Sequence, residues 1–83
     1  MDHRAIRGEL QAVPFRPFRM RAVDGRAFDV YHRDYLIVAQ AGRWITHYAM
    51  GTGEATLLEP MLIVSLEYLP TAPPAEPTGA VPE

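Results

Sequence analysis

Phe18-Arg19-Met20-Arg21-Ala22-Val23-Asp24-Gly25-Arg26-Ala27-Phe28-Asp29-Val30 decides the fold. Phe18, Met20 and Ala22 alternate with Arg19, Arg21 and Val23, and Phe28 and Val30 are the apolar positions beyond Asp24-Gly25. Alternation at period two marks a half-buried strand, and Asp-Gly between two such runs marks a hairpin. The buried face chooses the loop length. A two-residue loop at Asp24-Gly25 sets Arg21 opposite Phe28 and puts arginines on the apolar face. A three-residue loop, Val23-Asp24-Gly25, sets Ala22 opposite Arg26, Met20 opposite Phe28 and Phe18 opposite Val30. All the apolar side chains then share one face. A slip of one residue turns every side chain over, so the three-residue loop is expected. It calls for a type I turn with Gly25 left-handed in a bulge. The same register puts Arg19 opposite Asp29 on the outer face, a solvated ladder pair worth on the order of a few tenths of a kcal/mol.

Upstream, residues 2–13 read as a short helix. Asp2 can cap it, and Ile6, Leu10 and Val13 fall on one face. The stripe is narrow and Gly8 costs about 1 kcal/mol relative to alanine, so this helix forms only when packed. Pro14 ends it. Pro14-Phe15-Arg16-Pro17-Phe18 runs extended, because a proline disfavours the helical region for the residue before it. Its two phenylalanines carry the helix onto the sheet.

Downstream, His32-Arg33-Asp34-Tyr35 interrupts the alternation as a turn. Leu36 to Gln40, Trp44 to Met50, Ala55 to Leu58 and Met61 to Tyr68 read as further strands. Ala41-Gly42-Arg43, Gly51-Thr52-Gly53-Glu54 and Glu59-Pro60 separate them. Such spacing predicts an antiparallel sheet. The expected fold is mainly β with one N-terminal helix: a small, strongly bent antiparallel sheet, or an SH3- or Sm-like barrel of about five strands, over residues 1–69. Curling into a barrel removes exposed edges. Trp44 and Tyr48 are expected to fill its core. Pro70 to Glu83 holds five of the eight prolines and almost no large apolar side chain, and reads as a disordered tail.

The chain has 83 residues, 48% hydrophobic and 22% charged, close to the globular average, which rules out a wholly disordered protein. A core of this size supplies about 3–5 kcal/mol, so a closed sheet, self-association or a partner is an expected source of further stability. Absence of cysteine excludes disulfides, thiolate metal sites and a cysteine nucleophile. No apolar run approaches the roughly 20 residues that span a bilayer. The residues after Met1 are polar rather than a signal core, so a cytoplasmic protein with no membrane partner is expected. All eight basic residues are arginine. Through residue 47 they face five acids, a net of +3; from residue 48 onward there are five glutamates and no base.

Pro14-Phe15-Arg16-Pro17-Phe18, Asp24-Gly25-Arg26, Phe28-x-Val30-x-His32-x-Asp34-Tyr35 and Leu62-Ile63-Val64-x-x-Glu67 together resemble a set of short uncharacterised bacterial proteins. The resemblance covers roughly residues 6–69. Those proteins usually carry proline where Arg33 stands here, and the resemblance implies no activity. At the level of fold alone the order of elements is similar to Sm-like and SH3-like small barrels, which does not give function.

Three classes of function come into question. His32 with Asp34 resembles half of a metal site, with His47 as the only candidate third ligand; local bonding of His32 within its turn is the simpler reading. Ser65 lacks a glycine elbow, and Gly51-x-Gly53 lacks a following helix. No catalytic residue, metal or cofactor is therefore expected. Arg16, Arg19, Arg21 and Arg26, with Phe15, Tyr31 and Tyr35 to stack bases, outline a single-strand nucleic-acid surface. The net charge of −2 and a pI near 5.9 disfavour it. The expected function is a non-enzymatic interaction module, protein-binding or self-associating, acting through a sheet edge or the Phe15/Phe18 region. Its candidate binding residues are Phe15, Arg16, Arg19, Arg21, Arg26 and Tyr35.

Overall fold

The structure, a computed structural model, describes residues 1–70. The tail expected from Pro70 onward lies, from residue 71, outside the described residues.

Helix α1 spans His3–Gln11. The Asp2 side chain accepts from the Arg4 backbone N–H at 2.8 Å and satisfies one of the orphan donors of the first turn. Ile6 is fully buried and Leu10 packs partly on the core. The helix is shorter than the sequence suggested: it ends before Val13, which is 90% exposed and contributes nothing to the buried face.

Strands β1 (Phe18–Ala22) and β2 (Ala27–Val30) form the expected hairpin. Phe18 lies opposite Val30, Arg19 opposite Asp29 and Met20 opposite Phe28. The Ala22 N–H donates to the Arg26 carbonyl at 2.8 Å and the Gly25 N–H to the Ala22 carbonyl at 3.0 Å, which close the three-residue loop. Gly25 has φ of 93°, in the left-handed region where a Cβ is disfavoured.

A single 3₁₀ turn, Arg33–Tyr35, leads into β3 (Leu36–Val38), followed by β4 (Ile45–Tyr48) and β5 (Ala55–Leu58). A second 3₁₀ turn, Pro60–Leu62, occupies residues expected to open the last strand, so β6 runs only over Ile63–Tyr68. Pro60 sets the helical φ of that turn.

The strands form two antiparallel three-stranded sheets, β2-β1-β6 and β3-β4-β5. Among the described residues no ladder joins them, so the expected closed barrel is not seen. β6 carries a bulge where Arg21 faces Ser65 and Ala22 faces Ile63, leaving Val64 unpaired and exposed. The core lies between the sheets and α1: Ile6, Phe18, Met20, Val30, Leu36, Ile45, Leu58 and Ile63 are nearly or wholly inaccessible.

The expected burial of β4 is reversed. Ile45 and His47 face the core, whereas Trp44 is 40% exposed and Tyr48 half-buried. Ile45 sits between Val38 and Leu58, and His47 between Leu36 and Thr56. A histidine can occupy this face because its Nε2 lies 2.8 Å from the Asp29 carbonyl, which satisfies the buried nitrogen. The ring also meets Phe28 edge-on, with centroids 5.2 Å apart. His47 thus ties β4 of one sheet to β2 of the other.

Candidate functional site

Because Phe18 opposes Val30, the residues before β1 and after β2 leave the sheet side by side. Pro17 is buried and Tyr31 nearly so. The segment from Phe15 to Pro17 and the segment from Tyr31 to Asp34 enclose a cleft of about 510 Å³, lined by Phe15, Pro17, Tyr31, His32, Arg33 and Asp34. The Phe15 ring stands 6.1 Å from Phe18, which anchors this wall to the core.

Arg33 serves the cleft indirectly. Its Nε donates to the Leu10 carbonyl at 2.9 Å and its Nη2 to the Ala12 carbonyl. Both acceptors belong to the end of α1, where backbone carbonyls lack helical partners. The guanidinium also stands 5.4 Å from the centre of the Phe15 ring. A proline here could do none of this, so Arg33 fastens the helix to the cleft. The His32 side chain does not bond within its turn as expected, although its backbone carbonyl accepts from the Tyr35 N–H at 3.1 Å. Its ring packs on Tyr35, with centroids 5.7 Å apart, and both His32 and Asp34 are exposed. Among the described residues neither side chain has a hydrogen-bond or ion-pair partner. The cleft therefore has an apolar floor and a rim with one unengaged ring nitrogen pair and one unengaged carboxyl.

Of the six residues expected to bind, Phe15 lines this cleft and Tyr35 borders it through His32. The four arginines do not. Arg19 holds Asp29 at two points, 2.6 and 3.0 Å. Hydrogen bonding to that carboxylate raises the Arg19 pKa above its ordinary value. Arg21 bonds Glu67, which β6 brings alongside β1. Arg26 bonds Asp24 at 2.8 Å. The Asp24 carboxyl is held below its ordinary range, first by the Arg26 backbone N–H and then by that side chain. Arg16 lies over the Tyr68 ring, 3.7 Å from its centre. The Tyr68 hydroxyl donates to Glu9 at 2.8 Å, and this bond raises its pKa. The arginine face is thus largely neutralised by its own neighbours.

The metal reading fails on geometry. His47 faces the Asp29 carbonyl, away from the exposed turn that carries His32 and Asp34. Among the described residues no group of three or more His, Asp and Glu could hold a metal ion. A second cavity, about 410 Å³, lies between the N-terminus, Gly42-Arg43 and Glu59–Met61. It is crossed by local contacts, with the Met1 nitrogen donating to the Pro60 and Ile63 carbonyls at 3.0 and 2.8 Å.

One surface escaped the sequence. On the outer face of β3-β4-β5, Ile37, Thr46 and Leu57 lie in one cross-strand row. Ile37 is 53% and Leu57 61% exposed, with Trp44 nearby on the same strand face. No helix among the described residues is long and apolar enough to cross a membrane. No protein-family model, curated protein or solved structure matches the chain.

Proposed function

We propose that this protein is a non-enzymatic interaction module that holds an extended, proline-rich segment of a protein partner in the cleft between Phe15–Pro17 and Tyr31–Asp34. The observation that carries the reading is the composition of that cleft: two aromatic rings and a buried proline beside His32 and Asp34, whose side chains have no hydrogen-bond partner among the described residues. Proline-rich segments dock between aromatic faces because their polyproline conformation is preformed, so little ordering entropy is lost. Asp34 can accept from, and His32 donate to, the exposed backbone of such a segment. The order of elements, one helix and then six short strands in two antiparallel sheets, supports an SH3- or Sm-like arrangement.

Isothermal titration calorimetry with a synthetic proline-rich peptide tests the reading. Saturable binding that the surface change Asp34→Ala weakens at least threefold is expected. No binding at millimolar peptide, with the protein folded, overturns it.

Self-association is the second reading. Among the described residues β5 pairs only with β4, so its other edge is open, and the exposed Leu57 lies on this strand. A second copy can add to that edge. Leu57→Glu should then lower the mass found by sedimentation. The nucleic-acid alternative through Arg16, Arg19, Arg21 and Arg26 has less support, since three of these four already hold carboxylates. Binding of labelled single strands that weakens steeply with salt would restore it.

A further inference from the structure

We propose that the outer face of β3-β4-β5 docks a second copy of this chain, face to face, with β4 of one copy crossing β4 of the other in the opposite direction. This goes beyond the cleft reading and stands without it. The two sheets differ in what they turn outward. The outer face of β2-β1-β6 carries the ion pairs Arg19–Asp29 and Arg21–Glu67, as a solvated face does. Strands β3, β4 and β5 hold no aspartate, glutamate or arginine. Their outward row is Ile37, Thr46 and Leu57. Trp44 precedes β4 and Tyr48 ends it, and alternation with the buried Ile45 and His47 turns both outward as well. Single exposed apolar residues are ordinary, whereas a contiguous charge-free patch across three strands marks a contact surface.

This face matches itself. With the two β4 strands reversed and centred on Thr46, Thr46 meets Thr46, Ile37 meets Ile37 and Leu57 meets Leu57. Trp44 of each copy then lies over Tyr48 of the other, an aromatic pair made twice. Among the described residues the Thr46 and Tyr48 hydroxyls and the Trp44 indole N–H have no hydrogen-bond partner. In the pair the threonine hydroxyls donate and accept between themselves, and the indole N–H donates to the tyrosine hydroxyl. A second copy brings these groups by symmetry. Charge chooses the direction. Arg43 and Glu59 line one cavity at the start of β4, and Glu54 stands at the other end, one residue before β5. None of these three side chains has an ion-pair partner among the described residues. The reversed crossing brings Arg43 to the Glu54 end of the second copy, a guanidinium between two carboxylates. A parallel crossing brings the two Glu54 ends together, away from either Arg43. Three strands about 4.8 Å apart, with four residues of about 3.3 Å each, make a face of roughly 14 by 13 Å. With its rim this stands at the low end of specific interfaces, so the pair is weak and reversible.

Trp44 is the only tryptophan, so its fluorescence reports on this face. Sedimentation and Trp44 emission of the full-length protein are followed together from about 10 μM to about 1 mM. The expected result is a mass that rises toward two copies and no further, with a blue shift of Trp44 over the same range. Thr46→Arg and Ile37→Lys, each with unchanged circular dichroism, should stay monomeric. Arg43→Glu should weaken pairing about threefold, and adding Glu54→Arg should restore it. A monomer mass throughout the range overturns the proposal. So does association that survives Thr46→Arg, because copies joined at the β5 edge leave Thr46 uncovered, and so does association with no change at Trp44. A double variant that fails to recover overturns the reversed crossing.

Discussion

Replacing glycine by alanine at three positions should give three different outcomes from one chemical change. Gly8 lies inside α1, exposed, and a Cβ built there meets nothing within 4 Å. Alanine removes unfolded-state freedom and should stabilise by about 0.5–1 kcal/mol. Gly25 also has open space within 4 Å, but its φ is 93°. Its alanine variant suffers conformational strain with no clash, a loss of about 1–2 kcal/mol. Gly42 combines φ of 76° with the His3 ring, which an added Cβ would strike. That variant should lose more than Gly25→Ala, and adding His3→Ala should recover the clash but not the strain. For a domain of this size 1 kcal/mol corresponds to about 4–8 °C in Tm. Urea unfolding followed by circular dichroism, with unchanged m, reads all three. A neutral Gly25→Ala, or a Gly8→Ala that costs more than Gly25→Ala, refutes the turn and the helix placement on which the register rests.

Other predictions follow from single contacts. His47→Leu removes the bond that ties β4 to β2 and leaves the Asp29 carbonyl unpaired, so urea unfolding should show a loss of about 1–3 kcal/mol; an unchanged midpoint would mean the bond holds nothing. Arg33→Ala should speed hydrogen exchange in the last turn of α1 while sparing β1 and β2, because it frees the Leu10 and Ala12 carbonyls. The Asp2 carboxyl is held well below its ordinary 3.8, first by the Arg4 side chain and then by the Arg4 backbone N–H. Its contribution is therefore present above about that pH and is lost as pH falls through the folded value; Asp2→Asn, which keeps a capping acceptor, should flatten the acid limb of a stability–pH curve. Tyr68 behaves oppositely: its pKa is raised above 10.0, so its contribution is present below that pH and lost as pH rises further, and Tyr68→Phe should flatten the alkaline limb.

Local periodicity made the hairpin legible. Of the two- and three-residue loops only the latter puts Phe18, Met20, Phe28 and Val30 on one face, and the Arg19–Asp29 pair followed from it. Asp2 as helix cap and the turn at His32–Tyr35 were likewise written in short stretches. The face of β4 was misjudged because hydropathy favours Trp44 and Tyr48 over a histidine. Only the distant Asp29 carbonyl makes His47 a core residue. Arg21–Glu67 was hidden because it depends on β1 pairing with β6, 46 positions away. Arg21 looked free for the same reason. Each residue of the cleft stood out in the sequence, but in separate roles: Phe15 as a staple, His32 and Asp34 as half of a metal site. Their meeting follows from the Phe18–Val30 pairing, and that register already implied it. The signal that could have found the cleft was the hairpin register itself, which sets the residues before β1 beside those after β2.

Amide chemical-shift mapping with free proline-rich peptide, on the full-length chain, probes the cleft most directly. Saturable shifts centred on Phe15, Tyr31, His32 and Asp34, and lost in the Asp34→Ala background, are predicted. Shifts that are absent, or that gather on Ile37, Thr46 and Leu57 instead, would contradict it.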